Sequence, residues 1–287
     1  MTGTVHDVPL YLWVFVLAAM AGAVGLTGFV LYRGARLSGR GRRRAAGLGA
    51  ACAVLLGGWF TTSGVVAANG GYLNQPGRPP VLPIAFAAAL TVMPAATQVP
   101  VVARALAAPG MLSRLELPHT LRVVGAAFLI MMALGHLPAL FAVPAGLGDI
   151  ATGIAAPFVA RRVAKGTGRR TAVWFNVLGM TDLVTALTLA VLIGNQVIDV
   201  TPSTQAITQL PLALIPTAAV PLLFTLHITS LRRLAAGRAH DQHDKGEPCR
   251  SGTSITRPTP TPRSRNKDWP PTSPPTTASS DFPSSTS

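Results

Sequence analysis

Long apolar runs recur along this chain, and their length decides what it can fold into. A helix rises about 1.5 Å per residue and the hydrocarbon core of a bilayer is about 30 Å thick, so about 20 apolar residues make one crossing. Seven stretches qualify, at approximately 9–32, 45–68, 82–103, 121–143, 145–160, 171–194 and 210–231. The fifth is the shortest. The composition agrees: 49% of residues are hydrophobic and 12% charged, whereas soluble domains carry about 25% charged residues. The fold expected is an all-α, polytopic transmembrane helical bundle of about seven spans over residues 1–235. The first run follows a segment with no Lys or Arg. It therefore lacks the positive region of a signal peptide and reads as a retained span.

Arginine placement sets the expected orientation, because cytoplasmic loops collect positive charge. Arg33, Arg36, Arg40 and Arg42 to Arg44 follow the first run, and Arg104 and Arg114 follow the third. Arg161, Arg162, Lys165, Arg169 and Arg170 follow the fifth, and Arg232, Arg233 and Arg238 the last. The intervening loops carry no Lys or Arg apart from Arg78. With seven spans every basic loop falls on one side, placing the N-terminus outside and the C-terminus in the cytoplasm. The fifth run must then cross, or the 161–170 arginines would be exported. Localisation to a bacterial plasma membrane is the matching expectation.

The same clustering argues against nucleic acid. The net charge is +14, but no basic helix or basic and aromatic interleaving suited to phosphates and bases is present. Expected partners are the lipid bilayer and, through small-residue helix faces, a second copy of the chain. Cys52 and Cys249 form no metal-ligating pattern, and neither a metal nor a cofactor is expected. From about Ala239 the chain turns rich in Ser, Thr and Pro. Such a stretch buries too little apolar surface to offset its ordering entropy, so 236–287 reads as a disordered cytoplasmic tail. The 104–118 stretch, which mixes apolar and charged residues around Pro109 and Gly110, suits a short interfacial helix or an ordinary loop.

Small residues let membrane helices approach closely. Gly22, Gly25 and Gly28, and the Gly57–Gly58 pair, are read as helix contacts. Pro83, Pro94 and Pro100 in the third run, and Pro211, Pro216 and Pro221 in the seventh, predict kinks.

Ionisable residues inside spans are costly and mark candidate sites. The candidates are Asp182, Asn176, Asp149 and His136. Asp182 lies mid-span, and Asn176, Gly179 and Asp182 recur every three residues, so they drift round one broad helix face. Asp149 is expected in the first turns of the fifth span, where the helix dipole favours a carboxylate. His136 approaches the same external turn, at about 138–148. Arg122 is expected to snorkel from the cytoplasmic end of span four. His119 and His227 are the residue types of an axial haem pair, near the cytoplasmic face.

Gly146-Leu147-Gly148-Asp149 has the GxGD form of the intramembrane aspartyl proteases, and Pro138-Ala139-Leu140 spells the PAL of some of them. Those enzymes use two facing aspartates. Here PAL precedes GLGD on one hairpin, the reverse of that family's order, and Asp182 is the sole partner for Asp149.

Over about residues 119–234 the chain resembles a family of small bacterial multi-span membrane proteins to which no activity is attached. The resemblance rests on Arg122-Val-Val-Gly125, LPALFAVPAGLGD ending at Asp149, and Trp174-Phe-Asn176 with Gly179 and Asp182. It continues through LIPTAAVP to His227-Ile-Thr-Ser-Leu231. It implies a shared membrane fold. The leading functional expectation is a non-enzymatic membrane or envelope protein with no catalytic residues. A transporter or channel for a small solute or proton, using Asp182, Asn176, Asp149 and His136, is the alternative. The intramembrane protease is the second alternative.

Overall fold

The structure is a computed structural model that describes residues 8–74 and 79–246. The loop arginine Arg78, Cys249 and the tail beyond Gly246 lie outside the described residues. Among the described residues the chain is helical, with no strand. In order it forms α1 (Leu10–Leu37), α2 (Arg42–Ala68), α3 (Val81–Ala96), α4 (Pro100–Ala107), α5 (Met111–Leu115), a 3-10 helix (Leu117–Gly125) and α6 (Ala126–Ala133). There follow α7 (Ala139–Ala164), α8 (Arg169–Gly194), a second 3-10 turn (Thr204–Thr208), a π turn (Ile215–Ala219) and α9 (Val220–Gly246). The last helix thus continues past residue 235, where the transmembrane domain was expected to end.

Five segments are long and apolar enough to cross a membrane: α1, α2, Met111–Ala133, α7 and α8. The pair α3 and α4, bent by 72°, makes a sixth if it acts as one span. Proline causes that bend. Pro94 lies in the last turn of α3, and Pro100 opens α4 at the first position, where a missing N–H costs nothing. Pro83 sits in the first turn of α3, tolerated for the same reason, and does not kink it.

The seventh run folds differently from the others. Pro221 has no N–H to give the carbonyl of Thr217, one turn earlier. The indole Nε1–H of Trp59 on α2 donates to that carbonyl instead, at 2.9 Å. Ser63 bridges the Thr217 hydroxyl (2.5 Å) and the Tyr72 hydroxyl (3.0 Å). The π turn is thereby tied to α2 by side chains that satisfy what proline leaves open.

The sequence placed the fourth turn too late. It lies at 134–138, where Gly135 takes φ +77° and Pro138 is extended. Pro144, Gly146, Gly148 and Asp149 all fall inside α7, whose 26 residues are long and apolar enough to cross a membrane. Glycine and proline read as turn punctuation in a sequence, but in a packed membrane helix the glycines serve close contact. The 104–118 stretch forms the end of α4 and the short α5, whose Met111 and Leu115 are fully buried against the bundle.

The arginine-rich helix ends gather at one end of the bundle. Gly34 of α1 lies against the Ala105 carbonyl of α4. Arg233 of α9 donates to the Ala107 carbonyl at 3.0 Å, and Arg169 of α8 donates to the Leu234 carbonyl. Among the expected glycine contacts, Gly28 meets the Gly49 carbonyl of α2, and Gly22 faces Leu121. Gly25, Gly57 and Gly58 face open space, so they do not make contacts within this chain.

Candidate functional site

The site is built on the nine-residue 3-10 helix, which is unusually long for its kind. A 3-10 helix has three residues per turn and rises about 2 Å per residue, so every third side chain eclipses the last, about 6 Å further on. Glu116, at its N-terminal boundary, and His119, Arg122 and Gly125 follow that spacing. Glu116 and His119 are fully buried and Arg122 is 1% exposed. Arg122 does not snorkel: hydropathy placed it at a helix end, whereas Met111–Ala133 is one longer segment apolar enough to cross a membrane, with Arg122 buried inside it.

The Arg122 guanidinium makes four bonds to three helices. Its Nε–H donates to Oδ1 of Asp149 on α7 at 2.7 Å. Its Nη2 pairs with Oδ2 of Asp182 on α8. Its Nη1 donates to the Gly179 carbonyl at 3.1 Å and lies 3.3 Å from Nε2 of His227 on α9. A guanidinium has no acceptor, so His227 Nε2 must accept and Nδ1 must carry the proton. That proton points at Oδ1 of Asn176, 2.8 Å away. The Asn176 amide nitrogen then donates to Oε1 of Glu116 (2.9 Å) and to the Ala172 carbonyl (2.8 Å). A continuous polar line runs from the two aspartates through Arg122, His227 and Asn176 to Glu116.

His119 completes the cluster by packing. Its ring stacks on His227 with centroids 3.9 Å apart and meets the edge of Phe175 at 5.6 Å. The two histidines face each other flat, so they do not flank a shared iron as an axial haem pair would. Both His119 ring nitrogens, Glu116 Oε2 and the Ser230 hydroxyl are buried without a hydrogen bond of regular geometry. Among the described residues, no group of three or more His, Cys, Asp or Glu side chains is placed to hold a metal ion.

Glycines make the room for these groups. A β-carbon on Gly179 would sit 2.7 Å from the His227 ring and 3.2 Å from Arg122 Nη1. One on Gly125 would collide with Asp149, and one on Gly148 with Asp182. The Gly146-Leu147-Gly148-Asp149 sequence is therefore a packing device. Its glycines admit Leu129 and Asp182, and its aspartate is clamped by an arginine.

Of the candidate residues, Asp182, Asn176 and Asp149 converge on this cluster. Asp149 is no helix-start residue; it lies mid-α7, 6% exposed. His136 does not join it. It sits at the 134–138 turn, and the helical rise puts Asp149 about 15 Å further along α7. Glu116, His119, Arg122 and His227 are the members that sequence reasoning left out of the site. The three-residue spacing Glu116, His119, Arg122, Gly125 was the available signal. A cavity of about 40 Å³, lined by Asp149, Phe141, Leu183 and Pro216 among others, adjoins the acidic end. It is large enough to hold water.

The sequence profile of a family described as a domain of unknown function, DUF8737, matches residues 79–235, more than half of the chain. The match takes in α3 to α8 and the start of α9, hence every residue of the polar cluster, and leaves out α1 and α2. No curated protein and no solved structure matches the chain.

Proposed function

Because the chain belongs to the DUF8737 family, to which no activity is attached, its chemistry rests on its own side chains, and we propose that it is a proton-coupled membrane transporter. One observation carries the reading: a single buried guanidinium is shared by two carboxylates, those of Asp149 and Asp182. With the histidines neutral, one positive charge faces two negative ones. Uncompensated buried charge is costly, so the cluster is completed by binding protons.

Asp182 is the proton-carrying group in this scheme. Its side chain is the more exposed of the two aspartates, 19% against 9%. Protonation cancels its charge and loosens its hold on Arg122. The guanidinium keeps Asp149, while α8, then held to it by the Gly179 carbonyl alone, is looser against the 3-10 helix. A long 3-10 stretch inside a span suits a hinge. In this scheme the protein works by making and breaking one ion pair, without covalent catalysis, and the two aspartates are bridged by a cation instead of sharing a proton as a protease dyad does.

The proposed setting is a bacterial plasma membrane, with seven spans, the N-terminus outside and the C-terminus cytoplasmic. The gathering of the basic helix ends supports that sidedness. The full length of α7 supports the fifth crossing. The seventh is α9 with its π turn, not among the segments that qualify by length and hydropathy because its apolar part is shortened by Arg232 and Arg233.

The test is infrared difference spectroscopy of the full chain in vesicles between acid and alkaline pH. A protonated-carboxyl band that Asp182→Asn removes, in a variant that still elutes as folded protein, is the expected result. Spectra without a carboxyl band, or a band untouched by Asp182→Asn, would overturn the reading. Loss of folded Asp182→Asn protein would instead assign the cluster to static helix bonding.

A further inference from the structure

A second cavity, of about 370 Å³, lies away from the polar cluster, enclosed by α1, α2, the bent α3–α4 pair and α9. Its wall is made of side chains such as Leu48, Leu56, Met93, Leu106 and Leu226. Three of its four threonines hide their polarity. The Thr97, Thr225 and Thr229 hydroxyls all donate to carbonyls of their own helical turns. A chamber with such a lining stays dry and suits hydrocarbon.

The mouth shows where that hydrocarbon comes from. Leu55 of α2 and Val92 of α3 line the cavity and are also 75% and 65% exposed. These two helices share little direct contact. Both belong to segments apolar enough to cross a membrane, so the opening between them faces lipid tails.

One end of the chamber is rimmed by positive charge. Leu48 lies one turn after Arg44 on α2, and Arg104 stands between the lining residues Val102 and Leu106 on α4. Arg33 follows closely on the lining residues Val30 and Leu31 of α1. All three arginines are exposed, and the salt bridges among the described residues belong to Arg122 alone. Thr27 Oγ1, buried in the same wall without a hydrogen bond, lies about 9 Å up α1 from Arg33 by helical rise.

We propose that this chamber is a binding site for one anionic phospholipid. An acyl chain enters between α2 and α3, the phosphate is met by Arg33, Arg44 and Arg104, and Thr27 donates to an ester carbonyl. The inference does not depend on the proton reading. Apolar burial holds the tail, and charge selects the headgroup.

Trp59 lines the chamber and supplies the probe. The full chain, with Trp13, Trp174 and Trp269 replaced by Phe, is reconstituted in phosphatidylcholine vesicles. These contain a minor fraction of lipid brominated on its acyl chains, either phosphatidylglycerol or phosphatidylcholine. Brominated phosphatidylglycerol is expected to quench Trp59 several-fold more than the same fraction of brominated phosphatidylcholine. The charge-removing pair Arg44→Gln and Arg104→Gln, on exposed positions, should erase that preference, and Ala89→Phe, which fills the chamber, should reduce the quenching itself. Equal quenching by the two headgroups overturns the proposal, as does a preference that survives the arginine pair. Disulfide cross-linking through Cys52 in a Cys249→Ser chain, replacing the lipid preference, assigns the chamber to a second copy and also overturns it.

Discussion

Gly148 of α7 and Asp182 of α8 approach so closely that a β-carbon on the glycine would overlap the carboxylate of the aspartate. The contact brings the Asp182 carboxylate inside the bundle, within reach of Arg122. Gly148→Ala should therefore push α7 and α8 apart and weaken that ion pair, at a cost of about 1–3 kcal/mol as for other overpacked sites. Gly57→Ala, at a position facing open space, should change stability by less than about 0.5 kcal/mol. Thermal unfolding of both variants in one detergent checks the difference, and equal melting temperatures would contradict the packing role.

Arg122 holds two carboxylates, so its removal should cost more than the removal of either partner. Arg122→Met strands both Asp149 and Asp182 inside the bundle, and breaking a buried pair in this way costs about 3–5 kcal/mol. Adding Asp149→Asn and Asp182→Asn removes the stranded charge and should recover a large part of that loss. Denaturation of the single and triple variants in nanodiscs measures it. An Arg122→Met protein as stable as the parent would refute the central place given to the guanidinium.

Trp59 is expected to matter through one hydrogen bond. Trp59→Phe keeps most of the ring but leaves the Thr217 carbonyl, already deprived of a donor by Pro221, without its partner. An unsatisfied buried acceptor costs about 1–3 kcal/mol. Lower thermal stability, with faster amide exchange around the π turn, is the outcome expected; unchanged exchange would show that the carbonyl finds another donor.

The topology prediction concerns α7. A cytoplasm-specific reporter placed after Lys165 should be active, and so should one after Arg238. The same reporter placed after Gly135 should be silent. Activity at both Gly135 and Lys165 would mean that α7 does not cross.

Hydropathy and charge counting foresaw an all-helical protein with several apolar helices suited to a membrane. Both are properties of runs of residues, and runs survive any choice of packing. Asn176, Gly179 and Asp182, spaced by three, do share one helix face, and it turns toward Arg122 and Glu116. What counting by runs misjudged was depth. Arg122 and Asp149 fell near run ends when Pro138 to Gly148 was read as one broad turn, and both moved to the interior once the turn contracted to 134–138.

The partnership of these residues belonged to the tertiary structure alone. The periodicity of an α-helix would spread Glu116, His119 and Arg122 around the axis, whereas the 3-10 geometry lines them up. That geometry is held by contacts remote in sequence: Asn176 on Glu116, His227 against His119, and two aspartates on Arg122. A sequence records which residues are too polar for lipid, because that cost is local. Which of them meet is set by how four segments pack, and packing in a membrane is decided by close fit between helices, here by Gly125, Gly148 and Gly179.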